Sequence, residues 1–484
     1  MSSTTFVTAF LDLREDHNIK RPPHVRFEHF KTHLDANLNI VVFLSRRFQD
    51  DFTPFIKENV HVIYIELNET DTYKTITTSP ILPESRTPTH DTLNFLILMN
   101  TKTEFMERAI KIDPFHSTHF AWIDFSIAHV FKNRAASVQQ LNLLQNTRLK
   151  SKCLAVPGCW NKDTGMSYIH NSVNWRFCGG FFIGDKESIL DFHKLSYKAF
   201  KDLYETQKRI VWEVNTWAIA EKHYGLKPFW FKVDHNDTII QVPVDLFHVV
   251  ASLTTIPSRI GSLYKTLDSL LPQVDHIFVS IADSYIRFGG ISITVPDILK
   301  KEPYATKVTF IEGPDYGPAS KYLGAINVLP PNTWVFICDD DQIYHPKLIK
   351  NMLKNIKQLG VYQNRYDTIK NTTSGGLVHG YVGLMLHSCH FKNLSIFPLP
   401  ECARFVDDQW MSAYLFLQNI PIYKTGLEEY KDIYQELCGW HELIGADALG
   451  SLGNRSKKVD ELATFFKIKF LSQGCITSEI IRAP

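Results

Sequence analysis

Short apolar runs rich in β-branched residues alternate with longer amphipathic stretches along the whole chain. In the first half, TFVTAFLDL (5–13), NIVVFL (39–44), VHVIYIEL (60–67) and HFAWIDFS (119–126) end in polar loops, which predicts buried strands. A proline-rich stretch from Ser79 to Pro88 reads as a loop, and Asp91 to Ala109 has helical spacing. The rhythm then restarts. FHVVASLTT (247–255), HIFVSIA (276–282), KVTFI (307–311) and WVFIC (334–338) predict strands, while Ser258 to Leu271 and the segment from Pro346 to Leu359 predict helices. Strands alternating with helices imply mainly parallel sheets covered on both faces. The expected fold class is α/β, with two Rossmann-like domains in tandem at residues 1–243 and 244–484, joined near residues 240–246.

Composition narrows this picture without redirecting it. A chain of 484 residues exceeds one ordinary core, which fits two domains. With 44% hydrophobic and 21% charged residues it is an ordinary globular composition. A formal net charge of +1 argues against an electrostatic nucleic-acid binder. Eight scattered cysteines form no C-x-x-C pair, so free thiols are expected. His387, Cys389 and His390 are zinc-ligand types, but no second ligand pair lies at a finger-like distance. The first residues lack a basic, apolar leader, and no window reaches the roughly 20 apolar residues that span a bilayer. A cytoplasmic location with no transmembrane segment is the expectation.

The candidate chemistry concentrates at WVFICDDDQIYHP, where an apolar strand runs straight into Asp339, Asp340 and Asp341. Ligands of open α/β sheets sit beyond the carboxyl ends of strands. Adjacent carboxylates repel unless water or a cation separates them. A hard ion such as Mn²⁺ or Mg²⁺ prefers oxygen donors and leaves room for phosphate oxygens.

That segment resembles the D-x-D region of GT-A nucleotide-sugar glycosyltransferases. The resemblance implies two GT-A-like domains, a nucleotide-sugar donor (UDP- or GDP-linked), and Asp339 and Asp341 near the ribose and the metal, with Asp340 between them. Other pieces follow in the family's order. ASLTTIPSRI (251–260) resembles the strand and loop that receive the nucleotide, which marks Thr254, Pro257 and Arg259 as donor-binding. GPASKY (317–322) places Lys321 near the donor, and the glycine-rich SGGLVHGYVGLML (374–386) lies toward the acceptor. FVDDQW puts Asp407 and Asp408 at a helix start, where aspartate is also a favoured cap. The resemblance makes Asp408 the base that deprotonates the acceptor hydroxyl in an inverting reaction, with Asp407 as cap or substrate ligand. Trp410 suits sugar stacking or core packing. His441 is a candidate late metal ligand.

The first half, over roughly residues 4–240, resembles the HtrL/YibB (WlaTC-like) family, a relative of GT-A transferases. FVTAFLDL, HFAWIDFSIAHVF, CGGFFIGDKESILDFH and VWEVNTWAIAEKHYG carry the likeness. Asp124 ends an apolar strand here as a candidate donor or metal ligand, but Ser126 stands where D-x-D needs its second acid. Glu213 is a candidate catalytic residue, Asn215 a possible substrate contact, and His235 a possible metal ligand.

The expectation is thus a metal-assisted hexosyl- or pentosyltransferase acting on a glycan, lipid-linked or protein acceptor, with peripheral membrane contact possible and no nucleic-acid partner. The first domain would be a second transferase or an acceptor-binding module. A nucleotide-sugar hydrolase is the competing reading.

Overall fold

The computed structural model describes residues 3–13, 22–363, 376–425, 454–471 and 476–478. The chain divides into two units, Met1–Leu246 and Phe247–Pro484. Each contains, among the described residues, one seven-stranded sheet of mainly parallel strands.

In the first unit the strands are β1 (Thr4–Phe10), β2 (Ile40–Leu44), β3 (Val60–Tyr64), β4 (His119–Ile123), β5 (Leu154–Gly158), β6 (Phe181–Asp185) and β7 (Phe229–Lys232). Their order across the sheet is β3-β2-β1-β4-β6-β5-β7. All neighbours run parallel except β6, which is antiparallel to both β4 and β5. Strands β2 and β4 are buried at every position, because helices cover both faces. The longest cover is the helix Lys186–Gln207. Asp185 caps it by accepting from the Ser188 amide, and Ile189, Phe192, Ser196, Ala199, Phe200 and Leu203 recur at helical spacing on its buried side. Phe192 meets Trp217 of the helix Glu213–His223 with ring centroids 5.1 Å apart.

The second unit repeats the plan. Its strands are β8 (Val249–Thr254), β9 (His276–Ala282), β10 (Val308–Gly313), β11 (Trp334–Ile337), β12 (Val361–Gln363), β13 (Leu384–His387) and β14 (Ile422–Lys424). Their order is β10-β9-β8-β11-β13-β12-β14, and β13 alone is antiparallel to its neighbours. Position for position, order and direction match the first sheet.

One predicted helix is two. Asp91 to Ala109 resolves into Leu93–Asn100 and Lys102–Ile112. The bend is held by the buried Asn100, whose amide donates to the carbonyls of Leu96 and Val211, and by Thr101, whose hydroxyl donates to the carbonyl of Ile97. It puts Lys102 in the first turn of a new helix, aimed at the end of β4.

Candidate active site

In the second unit the three acids do not converge on one point. Asp339 accepts from the Lys321 ammonium at 2.8 Å. Asp340 is buried, accepting from Thr255 at 2.6 Å and from Arg259 at 2.9 Å. Asp341 lies 2.9 Å from the same guanidinium. Burial raises the Asp340 carboxyl above its ordinary range, against the pull of Arg259. Burial, then the like charges of Asp339 and Asp340, push Asp341 up to about 6.

Lys321 ties this strand end to a distant helix. Its side chain is 3% exposed, and its ammonium also lies 2.8 Å from Asp407, the first residue of the helix Asp407–Leu417. Burial opposes the charge, but Asp339 and Asp407 outweigh it and hold the ammonium well above an ordinary lysine. Asp408 turns elsewhere. Its carboxylate accepts from the Gly380 amide at 2.9 Å and lies 3.9 Å from His379. Burial, followed by the charge of Asp407, pushes it up to about 7. Gly380 must be small, since a Cβ there would fall 2.7 Å from the Lys321 nitrogen.

Four carboxyl groups therefore meet two side-chain cations, Lys321 and Arg259, while Asp408 rests on the Gly380 amide. Asp339 and Asp341 are the residues of this excess whose oxygens could serve a hard divalent cation. Among the described residues no set of three His, Cys, Asp or Glu side chains is gathered as ready metal ligands, so phosphate or water oxygens would have to complete the shell.

The first unit has a lysine in the same place. Lys102, 2% exposed, lies 3.0 Å from Asp124 and 2.9 Å from Glu213, and donates to the Gly179 carbonyl at 2.8 Å. Burial lowers it, but Asp124 and Glu213 raise it by more. Trp122 Nε1 also donates to Asp124, at 2.8 Å. Beside this cluster opens a cleft of about 560 Å³, lined by Asp124, Ser126, His129, Trp175 and His235 among others.

Residues 47–211 match a family model described as "Bacterial protein of unknown function (HtrL_YibB)". The match supports the likeness of the first domain to HtrL_YibB, and the matched segment contains Lys102, Asp124 and Gly179 but ends before Glu213. No curated protein matches the chain.

The remaining predicted residues fall as follows. Thr254 donates to the Ser280 carbonyl at 2.8 Å, tying β8 to β9, and Pro257 lies half-buried in the loop beyond it. His235 is exposed on the HtrL_YibB-like domain's cleft, with Trp175 at 6.2 Å between centroids. Asn215 is committed to backbone, donating to Ile169 and Ser172 and accepting from Asn174. Trp410 is fully buried, its indole donating to the Pro398 carbonyl at 2.8 Å. It is therefore a core residue. His441 lies outside the described residues. Lys102 is the site residue that sequence reasoning missed, because a lysine between two threonines reads as a solvated helix start.

Proposed function

We propose that the second domain is a metal-assisted glycosyltransferase that moves a sugar from a nucleoside diphosphate to an acceptor hydroxyl. The observation that carries this reading is the single buried ammonium of Lys321, which joins the acidic end of β11 to the acidic start of the helix Asp407–Leu417. It brings a carboxylate excess and a near-neutral carboxyl into one site at the carboxyl edge of a parallel sheet.

Each residue then has a task. Asp339 and Asp341 would hold the divalent cation. When bound, that cation stabilises negative charge on a departing diphosphate. Arg259 holds Asp340 and Asp341 in place on one guanidinium. Lys321 fixes Asp339 against Asp407 before any ligand arrives. Asp408, with a carboxyl near 7, is matched to accept the acceptor's hydroxyl proton at neutral pH. With Asp408 taking the proton, direct attack of the acceptor oxygen on the anomeric carbon, as its bond to the diphosphate oxygen breaks, would transfer the sugar with inversion. Among the described residues no helix is long and apolar enough to cross a membrane.

The test offers purified full-length protein a panel of UDP- and GDP-sugars with Mn²⁺ and candidate glycan, lipid-linked and peptide acceptors. Nucleotide release that needs both donor and acceptor, and falls at least 100-fold in Asp341→Ala and in Asp408→Asn, supports the reading. Release indifferent to acceptor identifies a hydrolase instead. Full activity in Asp341→Ala rejects the site.

A further inference from the structure

The two sheets share strand order and direction, and the same four parts meet at the strand end in each. A buried lysine comes from the first turn of the helix preceding β4 or β11 (Lys102, Lys321). An acid follows the strand (Asp124, Asp339). A second acid opens a later helix (Glu213, Asp407). A glycine on the approach to the antiparallel strand makes room. A Cβ on Gly179 would lie 2.0 Å from Glu213 Oε1, as one on Gly380 would crowd Lys321. Four matched groups at four matched places mark two copies of one working arrangement.

The copies differ where the metal site would be. Phe125 follows Asp124, stacked on Phe10 and Phe30 with centroids 4.7 Å away in each case. Ser126, in the place of Asp341, has its hydroxyl 2.5 Å from His29 Nδ1. The first-domain site therefore lacks the further acids at the strand end. Its acids Asp124 and Glu213 are met by Lys102, and the cleft wall adds Arg26, His90, His129 and His235. Such a wall suits an anion directly, and Arg is the side chain best shaped for phosphate. Lys102 and Trp122 both make their closest contact with Asp124 Oδ1, and the Asp124 side chain is 37% exposed at the cleft, within reach of a ligand hydroxyl. Trp175, exposed at the cleft, offers a face for a base or sugar ring, and about 560 Å³ is within the range of small-ligand sites.

We propose that the first-domain cleft is a second ligand site, which takes a nucleoside diphosphate without a divalent cation and relies on Lys102 to position Asp124. The ligand class rests on the transferase reading of the second domain. The site itself rests on the matched geometry.

Titration calorimetry of the full-length protein with UDP and with GDP, in Mn²⁺ and in EDTA, tests this. The expected result is two sites per chain in Mn²⁺ and one in EDTA. Arg26→Ala should weaken the EDTA-resistant site at least tenfold and spare the Mn²⁺-dependent one. Asp341→Asn should do the reverse. Lys102→Met should weaken the EDTA-resistant site at least tenfold, and Lys102→Arg should restore part of that loss. One site only, abolished by Asp341→Asn, overturns the proposal and leaves the second-domain reading standing. Two sites that both vanish in EDTA overturn the metal independence. No binding of either nucleotide under any condition overturns both readings.

Discussion

Replacing Lys321 by Met removes a charge from a position where the side chain is 3% exposed, while keeping its length and apolar stem. The consequence falls unequally on its two partners. Asp339, with its side chain 31% exposed, regains water. Asp407, at 10%, cannot. Breaking a buried ion pair by removing one partner costs about 3–5 kcal/mol, because the other charge stays buried without compensation. Most of that should be assigned to Asp407. The double variant Lys321→Met/Asp407→Asn should therefore recover about 2 kcal/mol or more relative to Lys321→Met alone. Asp407→Asn by itself should be costly, since it leaves the ammonium with Asp339 only. Urea unfolding gives the free energies, and hydrogen exchange at β8 and β11 amides assigns the transition to the second domain. With about 2–4 °C per kcal/mol for a domain of this size, the single variant should melt roughly 6–20 °C lower. A cost below about 1 kcal/mol for Lys321→Met, or no recovery in the double variant, would refute the claim that one buried ammonium holds the two elements together.

Asp408→Asn probes a carboxyl raised to about 7. A carboxyl raised in the folded state stabilises the fold below its unfolded value, and that contribution is lost as pH rises through 7. The variant should therefore gain on wild type by about 2–3 kcal/mol between pH 5 and 8 in EDTA, at about 1.4 kcal/mol per pH unit. Its transfer rate should lose the limb that rises through pH 7, and an unchanged pH–rate profile would remove Asp408 as base. Gly179→Ala should cost about 1–3 kcal/mol by forcing Glu213 off Lys102, while sparing Mn²⁺-dependent nucleotide binding in the second domain. Trp410→Ala should cost about 3–5 kcal/mol as a core truncation. A specific rise in acceptor KM without loss of stability would restore Trp410 as a stacking residue.

How much was legible in the sequence depended on where each residue's partners lie. Strands β1, β2, β4, β8, β9 and β11 stood out because burial on both faces leaves largely apolar runs, and the half-exposed edge strands β3 and β10 because they are rich in β-branched residues. β12 and β14 have three residues each, too few for any periodicity. The reversal of β6 and β13 depends on pairing, which composition does not record. The acids Asp339 to Asp341 were visible because they end an apolar strand. Their separation onto Lys321, Thr255 and Arg259 was not, since nothing local says which acid meets which cation. Lys102 was hidden most completely. One partner, Glu213, is 111 residues away, and only the bend at Thr101 turns the lysine inward.

That hidden lysine also explains why the arrangement could be kept twice while its surroundings changed. A buried ammonium between two carboxylates adds little net stability, because desolvation offsets most of the attraction. What it supplies is position. It locks an acid at a strand end to an acid at a helix start, through elements far apart in sequence, before any ligand binds. The residues next to the locked acid are then free to vary, and in one copy they are Asp340 and Asp341 held by Arg259, in the other Phe125 on an aromatic stack and Ser126 against His29. On the two proposals, the first set serves a cation and the second leaves a cleft whose wall meets an anion directly. A difference in ligand chemistry between the two domains can therefore arise from two neighbouring positions, with the lysine and its acids unchanged in role.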